Sequence, residues 1–507
     1  MGLAPFFERA RQGAAQVLRD MDDAAIGRRL NEVVVALVFD KQAATSVEGL
    51  AALDMAARLI ARLYPRVRVL PLDGECALRD ELVAVMRSIN PNLEVVDHGG
   101  GEQVAVVAGR SRYEAGTAIY MGSDRWIARV SLFAPVGFGS GAVPFGAGAA
   151  ACLALANVFR TVFVDWLPAA GVDEDATLSL LNFETGSAAA NADFPEGSDV
   201  GLVQLVGVGA IGNAFVWSLS RLRGASGVLH AIDPETIELS NLQRYVLPAM
   251  EDVDASKVGL AARVMRGCSL QINCFVTDWA GYVAGIGHHR FTTVAVALDT
   301  ARDRVEVQSS LPRRIVNSWT QAGDLGVSRH GFDGPEACLA CLYLPDGPRR
   351  NEDEIVTGEL GLPEARKLDI RAMLHFDGPV GEAFASEIAG ALGIDPAKLM
   401  PFATLPLRAF RQKAICGNVI LRAPDGGGAD VEVPMAFQSA MAGVMLAADV
   451  VAETTGIRAA RPATRSVIDL MRRLPGRIGS AMLKRTGPVR CMCQDADHVE
   501  AYRSKYR

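Results

Sequence analysis

The run GLVQLVGVGAIGNAF, Gly201 to Phe215, decides how this 507-residue chain folds. Val203 to Val206 is a short apolar stretch that reads as a buried strand. It passes straight into Gly207-Val208-Gly209-Ala210-Ile211-Gly212 and then into NAFVWSLSRL, a helical pattern. Glycines at this junction permit a tight turn and let backbone N–H groups approach a phosphate at the helix N-terminus. The next apolar run, VLHAID, ends in Asp233, 21 residues beyond Gly212. That placement suits an acid that binds ribose hydroxyls.

Outward from this unit, strand-like runs alternate with helical ones. LQINCFV (Leu270–Val276), TTVAVALD (Thr292–Asp299) and RIVNSW (Arg314–Trp319) continue the block downstream. Upstream, NEVVVALVFD (Asn31–Asp40), a helical pattern over Val47–Leu63, VRVLPL (Val67–Leu72), LEVVD (Leu93–Asp97), VAVVAG (Val104–Gly109) and WIARVSLF (Trp126–Phe133) form a second block. Alternation of this kind predicts an α/β fold with two doubly wound, mostly parallel sheets. The expected division is 1–186 for the first block and 187–199 for a small-residue linker. Residues 200–456 then form the nucleotide block and 457–507 an Arg-rich tail. Two apolar runs, Phe145–Val164 and Pro434–Gly456, read as buried helices, and no membrane span is expected.

Composition bounds the function. Half of the residues are hydrophobic and 21% are charged, which excludes wholesale disorder. The net charge of −7 speaks against a nucleic-acid-gripping protein. No signal peptide is visible at the start, and nine cysteines with metal-like or catalytic spacings fit a reducing, cytoplasmic setting.

Charged residues beyond Asp233 separate two chemistries. Asn241 and Arg244 lie in SNLQRY (Ser240–Tyr245), Lys257 follows, and Asp299 ends a strand at the carboxyl edge, where ligands of such sheets bind. A hydride-transfer enzyme has no role for an Arg and a Lys converging here. A triphosphate and its pyrophosphate leaving group do, with Mg²⁺ held by Asp299.

This ordered set, Gly207–Gly212, Asp233, SNLQRY, Lys257 and Asp299, resembles the ubiquitin-activating enzyme superfamily that includes the ThiF, MoeB and HesA proteins. The resemblance is close from about Leu202 to Arg304 and looser to about Gly456. It departs in Arg244-Tyr245, where the family has RQ, and in Asp299-Thr300, where it has DN. It implies that ATP adenylates the C-terminal carboxylate of a ubiquitin-like protein. Asp233 would then bind the ribose, and Gly207, Gly209 and Gly212 would cradle phosphate. Asn241, Arg244 and Lys257 would contact phosphates, Asp299 would hold Mg²⁺, and Arg304 would support its loop. The first block resembles an inactive adenylation-like half more faintly, through GSGAVPFGAGAAACLALANVFRTVF (Gly139–Phe163), and an unrelated α/β domain is the alternative. A homodimer or a pseudo-dimer within one chain follows from the same resemblance. So does an arginine reaching the ATP from the partner half, with Arg9 and Arg11 as candidates.

The resemblance also assigns cysteines. Cys338 and Cys341 match a structural zinc CxxC. Cys491 and Cys493 supply a second pair, tighter by one residue, with His498 as an alternative ligand. Cys416, in FRQKAICGNVI (Phe410–Ile420), stands where the family carries its thioester cysteine. Arg411 and Lys413 nearby favour a thiolate, and a buried inert cysteine is the alternative. Cys76, Cys152, Cys268 and Cys274 read as spectators.

The expected activity is therefore adenylation, then a thioester at Cys416 for transfer to a conjugating-enzyme-like partner. The implied relatives are bacterial operon-encoded activating enzymes, some tied to antiphage defence. Sulfur-carrier adenylation, a NAD-dependent oxidoreductase and a non-catalytic nucleotide-binding scaffold are the alternatives.

Overall fold

The computed structural model describes residues 3–18, 21, 23–97, 104–167, 171–321, 324–344, 351–411, 414, 433–474, 479–483 and 490–507. Its first sheet is built from β1 (Val35–Phe39), β2 (Arg66–Pro71), β3 (Glu94–Val95), β4 (Val104–Ala108), β5 (Ala118–Asp124), β6 (Ile127–Ser131) and β7 (Asp175–Ser179). Its second is built from β8 (Ser198–Val206), β9 (Ala225–Ile232), β10 (Gln271–Phe275), β11 (Thr293–Val296), β12 (Ile315–Thr320), β13 (Leu325–His330), β14 (Arg465–Ile468) and β15 (Gly479–Ala481). The strand orders are β3-β2-β1-β4-β5-β6-β7 and β10-β9-β8-β11-β12-β13-β14-β15.

These two orders are the same order, with one added strand at the end of the second. The directions match as well. Pairs are parallel from β3 to β5 and antiparallel from β5 to β7. In the second sheet they are parallel from β10 to β12 and antiparallel onward. The expected two Rossmann-like blocks are present, and the first repeats the topology of the second. Central strands such as β1 (VALVF) and β4 (VAVVA) are buried along their whole length, as parallel strands covered on both faces must be.

The helices repeat too. Val47–Leu63 follows β1 as Ala210–Ser220 follows β8, and Phe145–Val162 follows β6 as Ala436–Thr454 follows β13. The last two are long and apolar enough to cross a membrane, but each has 94% of its apolar window buried within the protein. They pack on each other, with Phe159 and Phe437 rings 5.9 Å apart. A helix that is apolar on all sides needs such neighbours. The pairing makes one compact unit of Met1–Leu344 and Val433–Arg507.

The structure redraws the expected tail. β14 and β15, from the stretch after residue 457, extend the second sheet, β14 pairing antiparallel with β13 and β15 with β14. A second unit, Pro345–Glu432, interrupts the chain between β13 and the Ala436–Thr454 helix. Its helices, among them Glu352–Glu359, Lys367–Phe376 and Glu382–Leu392, enclose a core of their own that includes Leu360, Ile370, Ile388 and Phe410.

Candidate functional site

β8 ends at Val206 and the chain turns at Gly207, whose φ of +90° belongs to the left-handed region. A Cβ here would stand 2.6 Å from the Ala297 carbonyl oxygen at the end of β11. A Cβ on Gly212 would stand 2.2 Å from the Gly207 carbonyl oxygen. Both clashes are with backbone, so the turn closes only with glycine at these positions. Asn213 pins it from within the helix, its Nδ2 donating to the carbonyls of Val208 (2.8 Å) and Gly209 (3.1 Å). The Ala210–Ser220 helix begins at Gly209 with no side-chain cap. Its first N–H groups, at the positive end of the helix dipole, are left for an anion.

Asp233 lies one residue past β9. Its carboxylate accepts N–H from Val208 (2.7 Å) and from Glu235 (2.9 Å). It thereby ties the second strand end to the glycine turn. Burial pushes this carboxyl above its ordinary range, against the opposing pull of Lys257 and the two backbone donors. Lys257 is itself buried, 4.0 Å from Asp233 Oδ1 and ion-paired with Glu235. Burial opposes its charge, but Tyr245, Asp233 and Glu235 outweigh burial and hold it as the cation.

Tyr245 brings the basic residues together. Lys257 Nζ lies 5.4 Å and Arg244 Cζ 5.7 Å from its ring centre. A Cβ on Gly209 would be 3.4 Å from its hydroxyl, so the ring leans over the glycine turn. Asn241 is partly used locally: its Oδ1 accepts the Glu238 N–H at 3.0 Å. Arg9, on the helix Phe7–Val17, also joins this group. Burial and then the like charge of Arg244 lower its pKa to about 10, against Glu238. Arg11 instead pairs with Glu8 on the same helix.

Asp299 is exposed at the carboxyl end of β11. The loop carrying it is held by buried Arg304, which donates to the Leu298 carbonyl, to Tyr343 Oη at 2.8 Å and to the Ser318 carbonyl at 3.4 Å. An exposed carboxylate at this strand end suits Mg²⁺, which takes one or two protein carboxylates together with phosphates.

The first block does not repeat this site. Asp40 follows β1 as Gly207 follows β8, and its carboxylate accepts N–H from Ala43 (3.1 Å), Arg110 (2.6 Å) and Ser111 (2.7 Å). Burial works against the charge, but these donors hold the carboxyl below its ordinary range. Asp40 thus caps the short Lys41–Thr45 helix, and Ser46 Oγ caps the Val47–Leu63 helix by accepting the Gly49 N–H at 3.2 Å, whereas the Ala210–Ser220 helix has no side-chain cap.

The four expected cysteines meet. Sγ–Sγ distances are 3.8 Å for Cys338–Cys341, 3.6 Å for Cys338–Cys491 and 3.5 Å for Cys341–Cys493, and all four sulfurs lie within 4.8 Å of one another. Four sulfurs ~2.3 Å from a central zinc would be spaced by ~3.8 Å. His498 is exposed and hydrogen-bonded to Asp495 at 2.9 Å, so Cys493 takes the fourth corner. Cys416 and Lys413 lie outside the described residues. Arg411, expected beside Cys416, pairs with Glu359.

Sequence reading missed Asn213 and Glu235, though both stand beside motif residues. It also missed the ring of Tyr245 as the meeting point of two cations.

The model described as the ThiF family matches residues 201–471, more than half of the chain. The chain belongs to the ThiF family. A second model, Prokaryotic E2 family C, matches residues 38–164 of the first block. The chain is 43% identical to "Uncharacterized protein y4jF" of Sinorhizobium fredii (strain NBRC 101917 / NGR234), over all of its own length and 98% of the relative's. Among solved structures, E. coli MccB crystallised with MccA is 15% identical with a TM-score of 0.37, over 58% of this chain and 66% of that one. PaaA is 14% identical with a TM-score of 0.33, over 56% and 65%. The ThiF-family chain thus spans about two thirds of these solved structures. Its family makes it an ATP-dependent adenylating enzyme.

Proposed function

We propose that this ThiF-family enzyme adenylates the C-terminal carboxylate of a ubiquitin-like protein and passes the acyl group to Cys416 for a conjugating partner. The observation that carries the reading is the uncapped helix N-terminus at Gly209 with Asp233, Arg244 and Lys257 arranged around it. The E2-type match in the first block supports the conjugation context. The working place would be the cytoplasm.

In this reading Asp233 holds the ribose, and the turn from Gly207 to Gly212 receives phosphate on its N–H groups. Arg244 and Lys257 neutralise the charge that gathers on the leaving pyrophosphate. A carboxylate oxygen of the substrate bonds to the α-phosphorus, the α–β phosphoanhydride bond breaks, and pyrophosphate departs. Mg²⁺ at Asp299 would supply further charge neutralisation on the phosphates. The thiolate of Cys416 then attacks the acyl carbonyl and AMP leaves, since a phosphate ester is a far better leaving group than hydroxide. The equivalent helix of the first block, Val47–Leu63, has its N-terminus capped by Ser46, so one nucleotide per chain is expected.

ATP–pyrophosphate exchange, with and without a candidate ubiquitin-like protein, tests the first step. Exchange that depends on the protein substrate supports the reading, and tight NAD binding without ATP binding defeats it. Cys416→Ala is expected to keep exchange but lose the thiol-sensitive adduct. If that variant still forms the adduct, another cysteine is the acceptor. If even the wild type forms none, the enzyme stops at the acyl-adenylate, as a sulfur-carrier adenylyltransferase would.

We also assign one structural Zn²⁺ to Cys338, Cys341, Cys491 and Cys493. It would tie the segment before the Ala496–Tyr506 helix to the Leu339–Tyr343 turn. Metal analysis should return about one zinc per chain, and Cys341→Ser should lose it and lower the thermal midpoint. Metal-free protein whose stability ignores a chelator would refute this assignment.

A further inference from the structure

One face of the Val47–Leu63 helix, in the block without a nucleotide site, carries Asp54, Arg58 and Arg62 at a spacing of four. All three reach into the adenylation block. Asp54 accepts Trp217 Nε1–H at 2.7 Å from the helix that leaves the glycine turn and pairs at 2.7 Å with Arg221, the C-cap of that helix. Arg58 donates through Nη1 to the carbonyls of Val246 (3.3 Å) and Leu247 (3.1 Å), while its Nε holds Asp54 at 3.0 Å. Arg62 donates through Nη2 to the Pro248 carbonyl at 2.9 Å.

The three carbonyls belong to the irregular stretch directly after Arg244-Tyr245. Buried backbone carbonyls without a sheet or helix partner need donors from elsewhere. Here two guanidinium groups of the other block supply them. A planar fork can serve a carboxylate on one edge and carbonyls on the other, which an ammonium cannot do as well.

Arg62 is informative because it is costly. It is almost fully buried, faces the carbonyls of Arg58 and Pro248, and burial followed by the nearby charge of Arg58 drives its pKa far down. A methionine would fill similar space without burying a charge, but it would leave the buried Pro248 carbonyl without its donor, so the arginine serves that carbonyl at the cost of its own burial.

We infer that Asp54, Arg58 and Arg62 are positioning residues for the adenylation site. They fix the glycine-turn helix and the Arg244-Tyr245 segment at one separation and so set the affinity for nucleotide. The inference rests on the nucleotide reading of the Gly207–Asp299 site. Asp54 holds the helix that presents N–H groups to phosphate. Arg58 and Arg62 hold the backbone that carries Tyr245, on whose ring Arg244 and Lys257 converge. The block without a nucleotide site is thereby a brace for its active counterpart.

The test uses the full chain and the probe α,β-methylene-ATP with Mg²⁺, titrated by calorimetry beside thermal unfolding. Arg62→Met should weaken probe binding about tenfold and keep the stoichiometry at one site. Arg58→Lys, which retains a charge for Asp54, should weaken binding in the same direction. Arg62→Lys, which keeps a donor for Pro248, should recover part of the loss. Arg66→Ala, whose side chain bonds Glu94 and the Asn31 carbonyl, should bind as wild type does. A residue that mattered for folding alone would lower the stoichiometry or the midpoint and leave the Kd in place. If the wild type binds the probe and Arg58→Lys and Arg62→Met bind it equally well, the brace is refuted. If Arg62→Met does not fold, Arg58→Lys decides by itself. If the wild type does not bind the probe, the nucleotide reading fails first, and the calorimetry distinguishes that failure from this one.

Discussion

Asp299→Ala is expected to lower ATP–pyrophosphate exchange by about a thousandfold while leaving the thermal midpoint where it is. The two halves of that expectation have separate causes. Asp299 is exposed at the carboxyl end of β11, and a surface change away from packing or networks moves stability by no more than about 0.5 kcal/mol. The loop keeps its shape because Arg304 holds it through Leu298, Ser318 and Tyr343, none of which the substitution touches. What is lost is the carboxylate that holds Mg²⁺ against the phosphates in this reading. Asp299→Asn should lie between the two, since the amide keeps an oxygen but not the charge. An alanine variant that exchanges within threefold of wild type would remove Asp299 from the metal site.

The parts legible in the sequence are those fixed by local backbone demands. Gly207 and Gly212 could be read because a tight strand-to-helix turn leaves no room for a Cβ, and the clashes with Ala297 and Gly207 itself bear this out. The Val47–Leu63 helix kept its expected limits because its apolar periodicity agrees with a Ser46 cap. β13 was missed for the opposite reason. Its sequence, LGVSRH, ends in two residues that read as exposed, yet all six are buried. Arg329 is tolerated there by Asp449, 120 residues away, and His330 by the Ala337 carbonyl and Ser328. β5 (AIYMGSD) was missed because its apolar run stops short at Gly122, and β7 (DATLS) because small and polar residues dominate it; the burial of both comes from neighbours in the sheet. The helices of Pro345–Glu432 are short and bury their apolar residues against one another, so no single stretch shows a strong period. In the site, Asn213 directly follows Gly212 and Glu235 stands two positions past Asp233, both residues already singled out. Arg58 and Arg62 were not legible at all, because the carbonyls they serve lie 186 to 189 positions along the chain.

Asp449→Ala should destabilise the main unit by about 3–5 kcal/mol, the range for breaking a buried ion pair by removing one partner. Asp449 is fully buried on the Ala436–Thr454 helix. Arg329 Nε reaches its Oδ1 at 2.8 Å and Arg458 Nη2 reaches the same oxygen at 2.5 Å. Both guanidinium groups lie on the ring of Phe183, at 4.8 and 5.6 Å, and Arg458 also donates to the Leu181 carbonyl at 2.7 Å. The cluster therefore joins the chain just past β7 of the first sheet to the second block. Alanine would leave two buried cations with only Glu453, 3.8 Å from Arg458 Nη1, as a nearby anion, whereas asparagine would keep an acceptor and cost less. Burial alone would raise this carboxyl, but Arg329 and Arg458 outweigh it and hold its pKa below the ordinary value. A carboxyl depressed in the folded state stabilises fully above its unfolded pKa of about 4 and loses that stabilisation as pH falls through the lower folded value. The gap between wild type and Asp449→Ala should thus be constant from pH 5 to neutrality, on the scale of about one unit above that pKa, and close below it. Urea unfolding across that range measures it, with Glu94→Ala as the comparison, since the exposed Arg66–Glu94 pair should be worth about 1 kcal/mol or less. If Asp449→Ala shifts the midpoint no further than Glu94→Ala does, the two blocks are held together by their apolar helices and not by this cluster.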